Sequence, residues 1–175
     1  EPTPQPTPEP EPEEPASNGN SKINFGDFVL TGNLAEGNDY DNRILINDAV
    51  YRHIPVNAKY VAIGGNGGND RVTITPHENG FFQYYGGPSK EYALFGGDGN
   101  DVLIVSASQD RYFKGIFYGA DGVDYVEQSL PSNLNGWIVE VIQDDVIDGP
   151  VLNLRNSSEY IDLKLYTDVE AIGSG

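Results

Sequence analysis

Apolar residues in this chain come in short runs, and a turn residue closes almost every one. RILI (43–46), RVTI (71–74), VLIV (102–105) and WIVEVI (137–142) are β-branched and bounded by residues that favour turns, the pattern of strands. Gly and Pro recur too often up to Pro150 for a helix of ordinary length. The one long stretch without them, Val151–Ile172, contains YIDLKLY, whose apolar positions alternate with period two rather than 3.6. The chain therefore reads as all-β. Asp144, Asp145 and Asp148 lie between WIVEVI and VLNL (151–154) and predict a polar hairpin turn there.

Five segments share one theme: FVLTG (28–32), YVAIGGNGGNDRVTI (60–74), YALFGGDGNDVLIV (92–105), GIFYGADGVDYVE (115–127) and VEAIGSG (169–175). Each sets a short apolar run before a glycine, and the middle three add G-x-D and a second apolar run. The leading glycines, Gly32, Gly64, Gly96, Gly119 and Gly173, are 32, 32, 23 and 54 residues apart. The last spacing reads as two units of about 27 residues with one unmarked turn between them. Self-similarity of this kind marks a unit that stacks on its own copies. Parallel coils would place equivalent strands about 4.8 Å apart. Side chains would then form ladders inside, with aromatic residues before the glycines (Tyr60, Tyr92, Phe95, Phe117, Tyr118) stacking on one another. The expected architecture is a parallel β-solenoid of five or six coils. An antiparallel sandwich is the alternative, because isolated strands would look the same.

Charge sharpens this picture. The chain has 27 acidic and 10 basic residues, a formal charge of −17. Its first fifteen residues, EPTPQPTPEPEPEEP, hold seven prolines and five glutamates. Proline fixes φ and removes backbone donors, so residues 1–21 read as an extended linker ahead of a module spanning 22–175. A spacer implies neighbouring domains of the same chain, and the absence of Met suggests a piece of a longer protein. Without the linker glutamates the module still carries −12, which excludes a nucleic-acid binder and favours cations. There are no cysteines, so stability must come from packing or from bound metal. No run approaches the roughly 20 apolar residues of a membrane span.

The glycines and aspartates supply the chemistry. Gly96–Ile104 reads GGDGNDVLI, Gly65–Thr73 reads GNGGNDRVT and Gly119–Glu127 reads GADGVDYVE. Glycines permit φ > 0 and let carbonyls approach an ion, and calcium takes six to eight oxygen ligands, carbonyls included. The three segments resemble the nonapeptide G-G-x-G-x-D-x-U-x (U a large apolar residue) of the RTX, or hemolysin-type, calcium-binding repeats. Gly96–Ile104 matches it completely, while Asn66 and Ala120 replace the second glycine in the others. EGNDYD (36–41) is a weaker relative that keeps Gly37 and Asp39. The resemblance implies a right-handed parallel β-helix or β-roll, with Ca2+ held between equivalent turns of successive coils. Its candidate ligands are Asp39, Gly65, Asn66, Asp70, Gly96, Asp98, Asp101, Gly119, Asp121 and Asp124, with Asp98 and Asp121 acting mainly through their carbonyls. It also implies a non-catalytic, secreted module of a Gram-negative bacterium. The repeats recur once per 23–32 residues rather than every nine, which implies a wider coil with one calcium-lined edge.

Two other groups of residues bear on function. His53 and His77 lie far apart with no nucleophile or acid in a recognisable motif, so both read as solvent or loop histidines, and an enzyme is not expected. The aromatic-rich FFQYY (81–85) and Trp137 support a second reading, a calcium-dependent carbohydrate-binding or adhesion module attached to a polysaccharide-degrading enzyme. Phe81, Tyr85 and Trp137 would be its sugar-stacking residues.

Overall fold

The structure, a computed structural model, describes residues 21–77, 90–106, 113–127, 138–144, 149–156, 161–165 and 171–172. Of the linker, only Ser21 is among them. The fold is mostly β. In chain order the elements are β1 (Lys22–Asn24), β2 (Val29–Thr31), β3 (Leu34–Glu36), β4 (Arg43–Ile46), a one-turn helix α1 (Asp48–Tyr51), β5 (Tyr60–Gly67) and β6 (Arg71–Ile74). They continue with β7 (Glu91–Asp98), β8 (Val102–Val105), β9 (Phe113–Asp121), β10 (Tyr125–Glu127), β11 (Ile138–Asp144), β12 (Gly149–Asn156), β13 (Ile161–Leu165) and β14 (Ala171–Ile172).

These strands form two sheets, ordered β1-β2-β3-β5-β7-β9-β13-β12-β11 and β14-β10-β8-β6-β4. The chain alternates between them. Five successive repeats, β3–β4, β5–β6, β7–β8, β9–β10 and β13–β14, each contribute one strand to either sheet. Neighbouring repeats pair in parallel in both sheets.

The core lies between the sheets, and period-two alternation selects it. In β5, Tyr60, Ala62 and Gly64 face outward while Val61, Ile63 and Gly65 are buried. Ile63, Leu94 and Phe117 share one inner row of the first sheet. Ile44, Val72, Leu103 and Val126 form the matching inner row of the second sheet, and each is at most 1% exposed. These are the U positions of the nonapeptide, and each such side chain gains about 1.5–3 kcal/mol from burial. Tyr92 stacks on Phe113 inside, but Phe95 stacks on Tyr118 on the outer face with ring centroids 4.9 Å apart. The aromatic ladder is therefore divided between core and surface, because Phe95 and Tyr118 fall on the outward half of the alternation.

The structure departs from the sequence reading at both ends. FVLTG is no repeat: β2 pairs antiparallel with β1 and β3, and Gly32, at φ +62, makes the β2–β3 turn. Among the described residues the 54-residue spacing holds no unmarked coil, since β13 pairs directly with β9 and β14 with β10. As the polar turn predicts, β11 and β12 form an antiparallel hairpin, which β13 extends before rejoining β9 in parallel. Helix α1 was also unforeseen. Asn47 caps it by accepting a hydrogen bond from the Ala49 N–H, and Pro55 follows soon after.

Lys90, only 3% exposed, donates from Nζ to the carbonyls of Pro55, Val56 and Ala58. Burial pushes its pKa down to about 8. Its ammonium ties the β4–β5 connection to the start of β7. Lys90→Met keeps the stem but leaves three partly buried acceptors without that donor, so about 2 kcal/mol of stability should be lost. Urea unfolding of the two proteins measures the difference. Among the described residues no helix is long and apolar enough to cross a membrane.

Candidate cation site

The turns joining the two sheets carry the glycine-aspartate motif. Counted from the glycine opposite Gly65, the first turn is Gly37-Asn38-Asp39-Tyr40-Asp41-Asn42. The next three are Gly65–Asp70, Gly96–Asp101 and Gly119–Asp124. Strand register aligns them: Glu36 pairs with Gly64, Gly64 with Phe95, and Phe95 with Tyr118.

The sixth residues build a buried ladder. The Asn42 N–H donates to Asp70 Oδ1, the Asp70 N–H to Asp101 Oδ1, and the Asp101 N–H to Asp124 Oδ1, at 2.7–2.8 Å. The steps along the chain are 28, 31 and 23 residues. Asp70, Asp101 and Asp124 are each at most 1% exposed. The fifth residues build a second ladder of opposite sense. Asp41 Oδ1 accepts from the Asn69 N–H, Asn69 Oδ1 from the Asn100 N–H, and Asn100 Oδ1 from the Val123 N–H. Each turn thus caps the one behind it and is capped by it. Asn and Asp suit these places because a short side-chain oxygen can stand in for a backbone acceptor.

The fourth residues explain the glycines. Gly68, Gly99 and Gly122 have φ of +92, +128 and +135. A Cβ there would strike the preceding turn at Tyr40, Gly68 and Gly99 respectively. Among the described residues the first turn has no such neighbour, because β4 is an edge strand, and Tyr40 sits at its fourth position. That exception corrects the sequence reading of EGNDYD. Gly37 occupies the first position rather than the fourth, and Asn42, not Asp39, occupies the aspartate position. The spacing of five shared by Gly37–Asn42, Gly65–Asp70, Gly96–Asp101 and Gly119–Asp124 was the available signal. The ladder residues Asp41, Asn69 and Asn100 were missed altogether.

At Asp70 and Asp101 the second oxygen, Oδ2, is buried and accepts no hydrogen bond. A Cβ on Gly65 would run into both Asp70 Oδ2 and the Gly96 carbonyl oxygen. On Gly96 it would meet Asp101 Oδ2 and the Gly119 carbonyl oxygen, the latter at 2.6 Å. Each of these carboxylate oxygens, which accept no hydrogen bond, therefore lies beside a carbonyl of the following repeat. Burial pushes both carboxyls up to about 6. The N–H bonds oppose this, and nearby acids, Asp41 for Asp70 and Asp70 with Asp124 for Asp101, reinforce it.

The other candidates fall elsewhere. Asp39, Asp98 and Asp121 point to solvent, and the Asp121 carbonyl accepts the Gly99 N–H. Asn66 lies at φ +79 and donates from Nδ2 to the Gly37 carbonyl. Among the described residues no three acidic or histidine side chains converge, so an ion here would draw on carbonyls as well as Asp70 and Asp101. His77 is a loop histidine, as expected, but not a solvent one. It is buried, with Nδ1 3.2 Å from the Tyr92 hydroxyl. His53 is half-buried, edge-on to Phe25. Phe81, Tyr85 and Trp137 lie outside the described residues.

The raised carboxyls make a pH prediction for the protein in chelator. The fold holds these two protons more tightly than the unfolded chain, whose carboxyl pKa is near 3.8. The penalty for burying the charges is fully present above about pH 6 and disappears as pH falls toward 4. Melting temperature in EDTA should rise between pH 7 and pH 5, by about 1–2 kcal/mol of stability per carboxyl.

Compared with protein-family models, with characterised proteins and with solved structures, the chain matches none.

Proposed function

We propose that this chain is a non-catalytic calcium-binding module of a secreted multidomain protein, a right-handed parallel β-solenoid of the RTX kind that calcium stabilises. One observation carries the reading: Asp70 Oδ2 and Asp101 Oδ2 are buried, accept no hydrogen bond, and sit beside a carbonyl of the next repeat. A carboxylate oxygen without a donor is costly to bury, and a cation beside it would offset that cost. At neutral pH the carboxyl proton is largely absent. Oxygen donors without thiolates favour a hard cation such as Ca2+ over soft metals. Asp70 and Asp101 would supply the charge, and the Gly96 and Gly119 carbonyls further oxygens.

The alternation of the chain between two sheets, in which neighbouring repeats pair in parallel, supports the solenoid. The secreted setting and the Gram-negative source rest on the resemblance of the nonapeptides. The Pro/Glu-rich linker would join the module to its neighbours. An ion filling these gaps does structural work, neutralising charge where repeats meet.

The test is thermal melting in millimolar calcium against EDTA at pH 7. Extracellular calcium modules bind with Kd of order 10⁻⁴ to 10⁻³ M, and a hundredfold excess over Kd stabilises by about 2.7 kcal/mol per site. Melting temperature should rise with calcium and not with sodium at equal ionic strength. Superimposable melts in both buffers, for protein shown to be metal-free, would overturn the reading.

A further inference from the structure

Asn42 stands in the ladder where later repeats carry aspartate, yet its surroundings differ. Its backbone N–H donates to Asp70 Oδ1 and its carbonyl accepts the Arg71 N–H. These are the inter-repeat bonds that Asp70 and Asp101 make in their turn. Its side chain is satisfied within its own turn: Oδ1 accepts the Asn38 N–H at 2.8 Å and Nδ2 donates to Asn38 Oδ1 at 2.9 Å. Asp70 and Asp101 have no counterpart to these bonds at Oδ2. The spatial frame is nevertheless the same, since a Cβ on Gly37 would meet Asn42 Oδ1 and, at 2.9 Å, the Gly65 carbonyl oxygen.

Resting on the calcium reading above, we propose that Asn42 is a neutral end rung that keeps the first gap, between Gly37 and Gly65, free of metal, and that the ion series begins at Asp70. A cation in the first gap would meet a neutral amide instead of a carboxylate. It would also compete with the Asn38 N–H for Oδ1. Both effects disfavour binding, whereas the next two gaps each present a buried carboxylate oxygen without a donor. The design suits an edge. β4 ends its sheet, and among the described residues no further repeat lies outside the first turn. A carboxylate there would add one more buried charge beside Asp41 and Asp70. An amide preserves the inter-repeat bond to Asp70 and closes the ladder without charge.

The same logic makes the rung convertible. Asn42→Asp keeps Oδ1, the acceptor for the Asn38 N–H, beside the Gly65 carbonyl, and replaces the nitrogen that donates to Asn38 Oδ1 by a second carboxylate oxygen, so the first gap gains the negative charge it lacks. Asp70→Asn does the reverse in the next gap.

Calcium bound per chain, measured by equilibrium dialysis of the full chain at pH 7 and saturating calcium, tests this. Relative to the unaltered protein, Asn42→Asp should bind one more ion and Asp70→Asn one fewer. An Asn42→Asp protein that folds and binds no extra ion overturns the proposal, as does an unchanged count for Asp70→Asn. If Asn42→Asp does not fold in calcium, the decision passes to Asp70→Asn, whose neutral rung copies one already present in the fold. Failure of the calcium reading looks different, because the unaltered protein itself would then bind no ion.

Discussion

Gly99→Ala should destabilise the protein by about 3 kcal/mol or more, whatever the metal concentration. Two costs add. At φ +128 an L side chain is strained, which costs about 1–2 kcal/mol. Its Cβ would also collide with the Gly68 carbonyl oxygen, and overpacking costs typically 1–3 kcal/mol. The obstacle is turn backbone fixed between β5 and β6, so it cannot turn aside as a flexible side chain would. Gly64→Ala is the control: Gly64 lies on the outer face of β5 with nothing within 4 Å of its missing Cβ. For a domain of this size, 3 kcal/mol corresponds to a fall of roughly 6–12 °C in melting temperature, while Gly64→Ala should leave it unchanged or slightly raised. Equal melts for the two variants would show that the turns do not stack as described.

The steric rule at Gly99 also explains how far the sequence could be read. Where a turn has a neighbour behind it, the fourth position must be glycine, so Gly68, Gly99 and Gly122 stand out and the three middle repeats align by eye. The strands that follow, 71–74 and 102–105, begin and end where the β-branched runs do. The first turn escapes the rule because it lies at an edge. Tyr40 replaces the glycine, and the eye slides to Gly37 and Asp39, three positions out of frame. Asn42 is then missed because an amide does not look like a calcium ligand. The two opposed ladders were illegible for another reason. They are made between turns 23–31 residues apart in sequence, and nothing local to Asn69 or Asn100 distinguishes a rung from an ordinary turn asparagine.

The termini failed differently. FVLTG and the sheet strands share the same apolar-run-then-glycine pattern, but antiparallel and parallel pairing leave the same mark on a single strand. Only a partner decides between them. The hairpin of β11 and β12 was legible because its turn is short and acidic, whereas the return of β13 to β9 depends on a pairing that spans 48 residues, Phe113 with Ile161.

Asp101→Asn should change the sign of its effect with calcium. Asparagine keeps the shape of the side chain and an Oδ1 to accept the Asp70 N–H. Its amide takes the place of Oδ2, beside the Gly119 carbonyl, and can donate where the aspartate cannot. Without metal, the substitution removes a buried charge that lies near Asp70 and Asp124 and supplies the missing donor. At pH 7 in EDTA the variant should therefore be more stable than the unaltered protein, by about 1–3 kcal/mol. With millimolar calcium the order should reverse, because the carboxylate that draws the ion is gone and the amide hydrogens face the place it would occupy. The two melts, each with and without calcium, form a closed cycle whose coupling measures what Asp101 contributes to ion binding rather than to the fold. A variant more stable than the unaltered protein in both buffers would mean that Asp101 is a buried acid without a cation, and calcium would lose its place in the stack.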